Sequence, residues 1–128
     1  VVAATGGGTP QTNLDLMRGL EAGFEPFILA AAEGRMELSR VSGGRQELVG
    51  RIALAERVDP VSHDSAEYRR TVAKILRDWS IALVHVRHLA WHGLSLVAVA
   101  KQLGLPVVVS FHDYYCLCPS LKLLDEQS

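Results

Sequence analysis

The chain has 128 residues, of which 48% are hydrophobic and 21% are charged, so a single domain can bury a core without disulfides or metals. Thirteen basic and fourteen acidic side chains leave a formal charge of −1. This balance argues against the basic surface that nucleic acids and anionic membranes require. No apolar run reaches the roughly 18 residues of a transmembrane helix. Cys116 and Cys118 are too close in sequence for an ordinary structural disulfide, which favours a reduced, cytoplasmic setting.

The first predicted strand, Val1–Ala4, leads directly into a glycine-rich turn, "TGGGTPQT". Thr12 followed by Asp15 has the form of a capping box, which predicts that a helix begins there. The apolar positions of this helix are Leu14, Leu16, Met17 and Leu20. A second strand is predicted over Phe24–Ala32, with Pro26 near its start, where proline is tolerated.

A β-hairpin is predicted next along the chain. Met36–Val41 and Gln46–Ala55 flank the stretch "SGGR", and two consecutive glycines favour a tight turn between antiparallel strands. We expect this hairpin to extend the sheet at one edge.

The second half of the chain alternates helices and strands. Asp64 or Ser65 is expected to cap a helix whose apolar residues recur at helical spacing. These residues are Tyr68, Val72, Ile75, Leu76 and Trp79. A buried strand is predicted over Ile81–Val86, followed by a helix over Trp91–Leu103 that a glycine and a proline end, and by a last strand over Val107–Phe111.

This alternation predicts one Rossmann-like domain over residues 1–128, an α/β/α sandwich of three layers with a mostly parallel sheet and a β-hairpin extension. The strands that end at Ala4, Val86 and Phe111 are expected to be neighbours, because βαβ crossovers are right-handed. Their carboxyl ends then share one edge of the sheet, where α/β proteins bind ligands.

Glycines follow the first of these strand ends, in the run Gly6, Gly7, Gly8 and Thr9. They can form a plain strand-to-helix turn, or their bare N–H groups at a helix N-terminus can bind a phosphate. The run is not a Walker A loop, because no Gly-Lys-Ser/Thr follows. It is not the dinucleotide fingerprint either, because Gln11 stands where the third glycine should be.

Three histidines, His85, His88 and His92, cluster around the second strand end. No HExxH pattern or neighbouring carboxylate accompanies them, so no metal site is assigned. The favoured interpretation is that they are buried, hydrogen-bonded histidines lining a polar crevice, with Arg87 directed to the opposite face of the strand. The two cysteines are assigned to core packing.

The third strand end carries His112, Asp113, Tyr114 and Tyr115. His112 and Asp113 can be a pair that stabilises the turn after the strand. Together with Phe111, however, the two tyrosines surround the pair with aromatic rings, a composition that is typical of carbohydrate or nucleotide clefts. The convergence of the three strand ends predicts a pocket at this edge.

Two segments of the chain resemble a known family. "GGGTPQTNLDLMRGL" and "HVRHLAWHGLSLVAVAKQLGLPVVVSFHDYYCLCPSLKLL" are similar to the amino-terminal domain of family-four glycosyltransferases of the GT-B fold. The resemblance covers about half of the chain, and residues 33–80 match no pattern of the family. Ser110 and Tyr115 replace the commoner threonine and tryptophan of the family, and Cys116 is not typical.

The resemblance implies an enzyme of two Rossmann-like domains, of which this chain is the amino-terminal, acceptor-binding half. A missing carboxy-terminal domain would bind most of the nucleotide-sugar donor, so this chain alone is expected to be inactive. The loop Gly6–Gly8 would approach the donor diphosphate, and His112 would contact the transferred sugar. Transfer would retain the anomeric configuration without a metal or other cofactor, and the acceptor is not implied.

Two alternatives stay open at this point. One is a Rossmann-type dinucleotide-binding domain with Glu33 as the ribose ligand, and the other is a non-catalytic binding module of the same fold. The expected location is cytoplasmic, with a peripheral position at the inner membrane left open.

Overall fold

The structure, a computed structural model, describes residues 2–3, 9–32, 34–56, 64–89 and 91–111. Six strands and three helices lie in these ranges. In chain order they are β1 (Val2–Ala3), α1 (Thr9–Leu20), β2 (Phe27–Ala32), β3 (Arg35–Ser42), β4 (Arg45–Ala53), α2 (Ala66–Asp78), β5 (Val84–Val86), α3 (Ser95–Gln102) and β6 (Val107–Val109).

The strands form one mixed sheet in the order β4-β3-β2-β1-β5-β6. β1 pairs in parallel with both β2 and β5, and β5 pairs in parallel with β6. The prediction that the first, fifth and sixth strands are neighbours is therefore confirmed. The prediction of a mostly parallel sheet is wrong. β1 has 2 residues and β5 and β6 have 3 each, whereas the antiparallel strands β3 and β4 have 8 and 9.

The hairpin of β3 and β4 turns at the two predicted glycines. Ser42 pairs with Arg45, which leaves Gly43 and Gly44 as a two-residue turn. Their φ values of 55° and 69° lie in the left-handed region, which glycine adopts without a steric penalty. The hairpin occupies the edge of the sheet, as predicted, and β4 carries a bulge where the register shifts opposite Leu38 and Ser39.

A carboxylate directly after α1 holds this turn. The backbone N–H groups of Gly43 and Gly44 donate to the two carboxylate oxygens of Glu21, at 3.1 and 3.2 Å. Glu21 follows the last residue of α1, so the helix and the hairpin are joined at this point.

Helices cover both faces of the sheet. On one face Met17 of α1 packs with Ile28 and Val41. Because neighbouring residues of a strand point to opposite faces, Leu29 lies on the other side, in the larger core with α2 and α3. That core includes Leu38, Tyr68, Val72, Ile75, Leu76, Val84, Val86, Leu96 and Val99. The described residues thus form the three predicted layers.

α2 matches its sequence pattern closely. The side chain of Ser65 caps it by accepting the N–H of Tyr68 at 3.3 Å, and four of its five predicted apolar residues are buried. The fifth, Trp79, follows the helix and packs its ring 5.2 Å from the ring of Phe27.

The other two helices begin elsewhere than predicted. α1 begins at Thr9, so the capping box at Thr12 is wrong. Pro10 falls in the first turn, where its missing N–H costs nothing. α3 begins at Ser95, four residues later than predicted, because Trp91 has a left-handed φ of 64°. It ends at Gln102, one residue before the predicted end, with Leu103 as its C-cap, and Gly104 follows as predicted, with a left-handed φ of 74°.

We expect Glu21→Gln to destabilise the fold by about 1 kcal/mol, because an amide has one acceptor oxygen for two turn N–H groups. Urea unfolding monitored by circular dichroism would measure the change. Glu47→Gln, an exposed change in β4, is the matched control and should leave the midpoint unaltered. Equal midpoints for Glu21→Gln and the unsubstituted protein would show that the contact does not hold the hairpin.

Candidate functional site

The candidate site is the edge of the sheet where the parallel strands end. β1, β5 and β6 run in one direction and are neighbours, so the residues that follow them emerge at the same edge. α1 begins at this edge, because its first residue, Thr9, lies shortly after β1. Several predicted site residues lie outside the described residues, and their roles stay predictions: Gly6, Gly7, Gly8, His112, Asp113, Tyr114 and Tyr115.

Arg87 joins the end of β5 to α1. Its Nη2 donates to Oγ1 of Thr12, at 3.2 Å, across a sequence separation of 75 residues. The expectation that Arg87 points away from the face of the histidines is wrong for His85. Val84 and Val86 face the core of α2 and α3, so His85 and Arg87 both lie on the α1 side.

The side chain of His85 connects β5 with the residue that follows β6. Its Nε2 lies 2.8 Å from Oγ of Ser110, which follows β6. His85 also borders a groove of about 310 Å³ at the amino end of the strands, whose other walls include Phe24, Phe27, Trp79 and Leu83. His88 is half-buried after β5. The roles of His85 and His88 as cleft residues stay predictions.

His92 belongs to the core and not to the crevice. It is 1% exposed, and its Nδ1 lies 2.8 Å from the hydroxyl of Tyr68, which is fully buried. Burial raises the pKa of the Tyr68 phenol far above its ordinary value, so its hydroxyl stays protonated. Gly93 completes the contact, because a Cβ at this position would come within 2.9 Å of the Tyr68 ring.

A second hydrogen bond holds the beginning of α3, which directly follows this segment. Oγ of Ser95 donates to Oδ1 of Asp64, at 2.7 Å, and the N–H of Ser65 donates to the same carboxylate. Arg69 pairs with its other oxygen. The hydrogen bond from Ser95 is the main cause that lowers the pKa of Asp64 below its ordinary value. The segment before α3 is thus anchored to α2 through His92 and Tyr68, and the first residue of α3 is anchored to Asp64, just before the cap of α2.

Sequence periodicity does not predict the contacts by which Tyr68, Asp64 and Ser95 position the segment before α3. The helical stripe marks Tyr68 only as an apolar residue, and its hydroxyl is the one signal that a buried polar partner is needed. In the residues that the structure describes, His, Cys, Asp and Glu side chains form no group of three that could hold a metal ion. None of the described helices is both long and apolar enough to cross a membrane.

Three adjacent parallel strands, with Arg87 after β5, Ser110 after β6 and Thr12 in the first turn of α1, are typical of the class of α/β proteins that bind ligands at this edge. Comparison with protein families makes the assignment specific. The model of Glycosyltransferase Family 4 matches residues 6–124, and the chain belongs to this family. The resemblance seen in the sequence is confirmed, and a glycosyltransferase-type function is supported. A search of curated proteins gives no significant match.

Asp64→Asn should lower stability at neutral pH by about 1 kcal/mol, because a neutral amide accepts more weakly from Ser95 and Ser65 than a carboxylate does. The pKa of Asp64 is lower in the folded protein, so its carboxylate stabilises the fold above the ordinary pKa of 3.8. This contribution is lost as the pH falls through the folded-state pKa. The difference from the unsubstituted protein should therefore shrink below about pH 4.

Urea unfolding of both proteins at neutral and acidic pH would measure that difference. Asp15→Asn is the control, because Asp15 forms an exposed ion pair with Arg18 that contributes little. A stability loss that is the same at both pH values would contradict the assignment.

Proposed function

We propose that this chain is the acceptor-side domain of a retaining glycosyltransferase that moves a sugar from a nucleotide-sugar donor to an acceptor. The single observation that carries the proposal is the family match over residues 6–124. It also disfavours the dinucleotide-binding alternative, whose proposed ribose ligand, Glu33, lies outside the described residues. The adjacent ends of β1, β5 and β6 support a cleft at this edge.

The donor diphosphate is proposed to lie against the loop Gly6–Gly8. This loop precedes α1, and the N-terminus of a helix attracts anions through its unpaired N–H groups and its dipole. The first turn of α1 carries no acidic residue, so no carboxylate of that turn competes for the position. A second domain of the protein, with spaced glutamates and basic phosphate ligands, would bind the rest of the donor.

His112 is proposed as the catalytic residue of this domain. It follows Phe111, which lies two residues beyond the end of β6 and is 72% exposed. A neutral imidazole there could hydrogen-bond a hydroxyl of the transferred sugar and stabilise positive charge that develops on the ring. Asp113 would hold the loop by accepting backbone N–H groups. His85, His88, Tyr114 and Tyr115 would line the cleft. No metal or cofactor takes part in this proposal.

The proposed location is the cytoplasm, either free or peripheral at the inner membrane, since nucleotide sugars are the donors. The rival function is a non-catalytic binding module that keeps the fold and the sugar cleft without the transfer reaction. The two differ in turnover, so kinetics on the complete protein decide between them.

His112→Ala in the complete protein should reduce kcat by about 10²- to 10³-fold, because a contact that strengthens in the transition state is lost. The measurement is nucleotide release from a panel of nucleotide sugars, with the anomeric configuration of the product determined by NMR. Glu47→Gln is the control for turnover. A folded His112→Ala protein with near-normal kcat would eliminate the role, and no turnover by the unsubstituted protein with any donor would favour the binding module.

Gly8→Val should weaken donor binding by at least about 10-fold with little change in melting temperature, because a branched side chain would block the approach of a phosphate to the backbone. Donor titration followed by calorimetry, beside a thermal unfolding scan, separates the two effects. Intact donor binding together with a large loss of stability would instead assign the glycines to a plain turn.

A further inference from the structure

Arg87 is a half-buried cation whose charge no described residue neutralises. Its one hydrogen bond in the described part of the chain is the 3.2 Å contact with the neutral hydroxyl of Thr12. Its Nε is buried and has no hydrogen-bond partner among the described residues. It forms no salt bridge with any described carboxylate.

The partners of Arg40 provide a comparison with those of Arg87. Arg40 is half-buried as well, and its Nε likewise has no well-aligned hydrogen bond among the described residues. However, the carboxylate of Glu25 forms an ion pair with this Nε at 3.0 Å, and the ring of Phe27 lies 5.7 Å from the guanidinium. Partial burial of an arginine is costly unless an anion or an aromatic face compensates the lost hydration. Arg40 has both kinds of partner, and Arg87 has neither among the described residues.

The surroundings of Arg87 add positive potential. Thr12 lies in the first turn of α1, where the helix dipole is positive and where acidic residues are favoured. That turn has none, whereas the first turn of α2 has Glu67. The nearest acid of α1, Asp15, is engaged by Gln11 and Arg18.

The residue that follows Thr12 in α1 has unused hydrogen-bonding capacity. Asn13 is 1% exposed, and neither its Oδ1 nor its Nδ2 has a hydrogen-bond partner among the described residues. Buried amides are normally hydrogen-bonded, so this amide keeps a donor and an acceptor that a water or a ligand can use.

We infer that Arg87, positioned by Thr12, binds an oxyanion of a substrate. A guanidinium presents parallel N–H donors that match a phosphate or a carboxylate. Two sources supply this chemistry, which are the diphosphate of the donor and an anionic group on the acceptor. The identity of the substrate rests on the proposed function, whereas the anion site itself rests on the contact of Arg87 with Thr12 and on the lack of a described carboxylate partner for Arg87.

Binding of inorganic phosphate to the complete protein, compared between the unsubstituted protein and its Arg87 variants, tests the site without any assumption about the reaction. A phosphate site on the proposed second domain would be common to all of these proteins and would appear as a separate, unchanged binding event. Arg87→Gln should weaken phosphate binding, measured by calorimetry, by about 10- to 100-fold, because charge-assisted hydrogen bonds are lost. Arg87→Lys should give an intermediate loss, since an ammonium keeps the charge without the planar fork. Arg45→Gln, an exposed change at the start of β4, is the matched control for net charge and should bind as the unsubstituted protein does.

Unchanged phosphate affinity in Arg87→Gln would overturn the inference. If Arg87→Gln does not fold, Arg87→Lys carries the test, and affinity equal to that of the unsubstituted protein would overturn it in the same way.

Steady-state kinetics then distinguish the two sources. A raised KM for the nucleotide sugar alone, with kcat nearly unchanged, assigns Arg87 to the donor diphosphate. A raised KM for the acceptor alone assigns it to an anionic acceptor. If neither KM changes, Arg87 does not bind a substrate anion and the inference fails. Absence of transfer by the unsubstituted protein would refute the proposed function, while the phosphate measurement would still decide the site.

Discussion

The pairing of β1 with strands on both of its sides is the constraint on which the rest of the structure depends. Val2 is opposite Leu29 of β2 and also opposite Val86 of β5, so two residues join the hairpin half of the sheet to the β5–β6 half. The same pairing brings the beginning of α1 next to the end of β5. The contact between Thr12 and Arg87 therefore exists only because β1 lies in the middle of the sheet.

Features with a local cause were predictable from the sequence. The turn at Gly43 and Gly44 needs two left-handed residues, and the cap of α2 needs a side-chain oxygen at Ser65; short-range chemistry specifies both. The beginning of α3 was not predictable in this way. The segment before it is fixed by Tyr68 and His92, which are 24 residues apart, and helical periodicity contains no information about such a contact.

The sheet edge that carries the candidate site was predictable from the sequence, whereas the contacts of Arg87 were not. The adjacency of β5 and β6 follows from a βαβ unit, whereas the place of β1 beside β5 is a long crossover past three other strands that no local pattern specifies. Val84 and Val86 are buried on one face of β5, and His85 lies on the other. If the same alternation continues for one residue beyond the strand, Arg87 lies on the face of His85, so its side of the sheet follows from the sequence. The partner of Arg87, by contrast, lies 75 residues away and carries no pattern of its own.

The bulge in β4 has a consequence for how copies of the domain meet. Val49 has no opposite residue in β3, because Leu38 is opposite Gly50 and Ser39 is opposite Leu48. A bulge twists a strand locally and interrupts the regular row of backbone groups with which a foreign strand would pair. With exposed arginine and glutamate side chains along the same strand, this boundary of the described sheet is poorly suited to edge-to-edge aggregation, and crowded chains can stay separate.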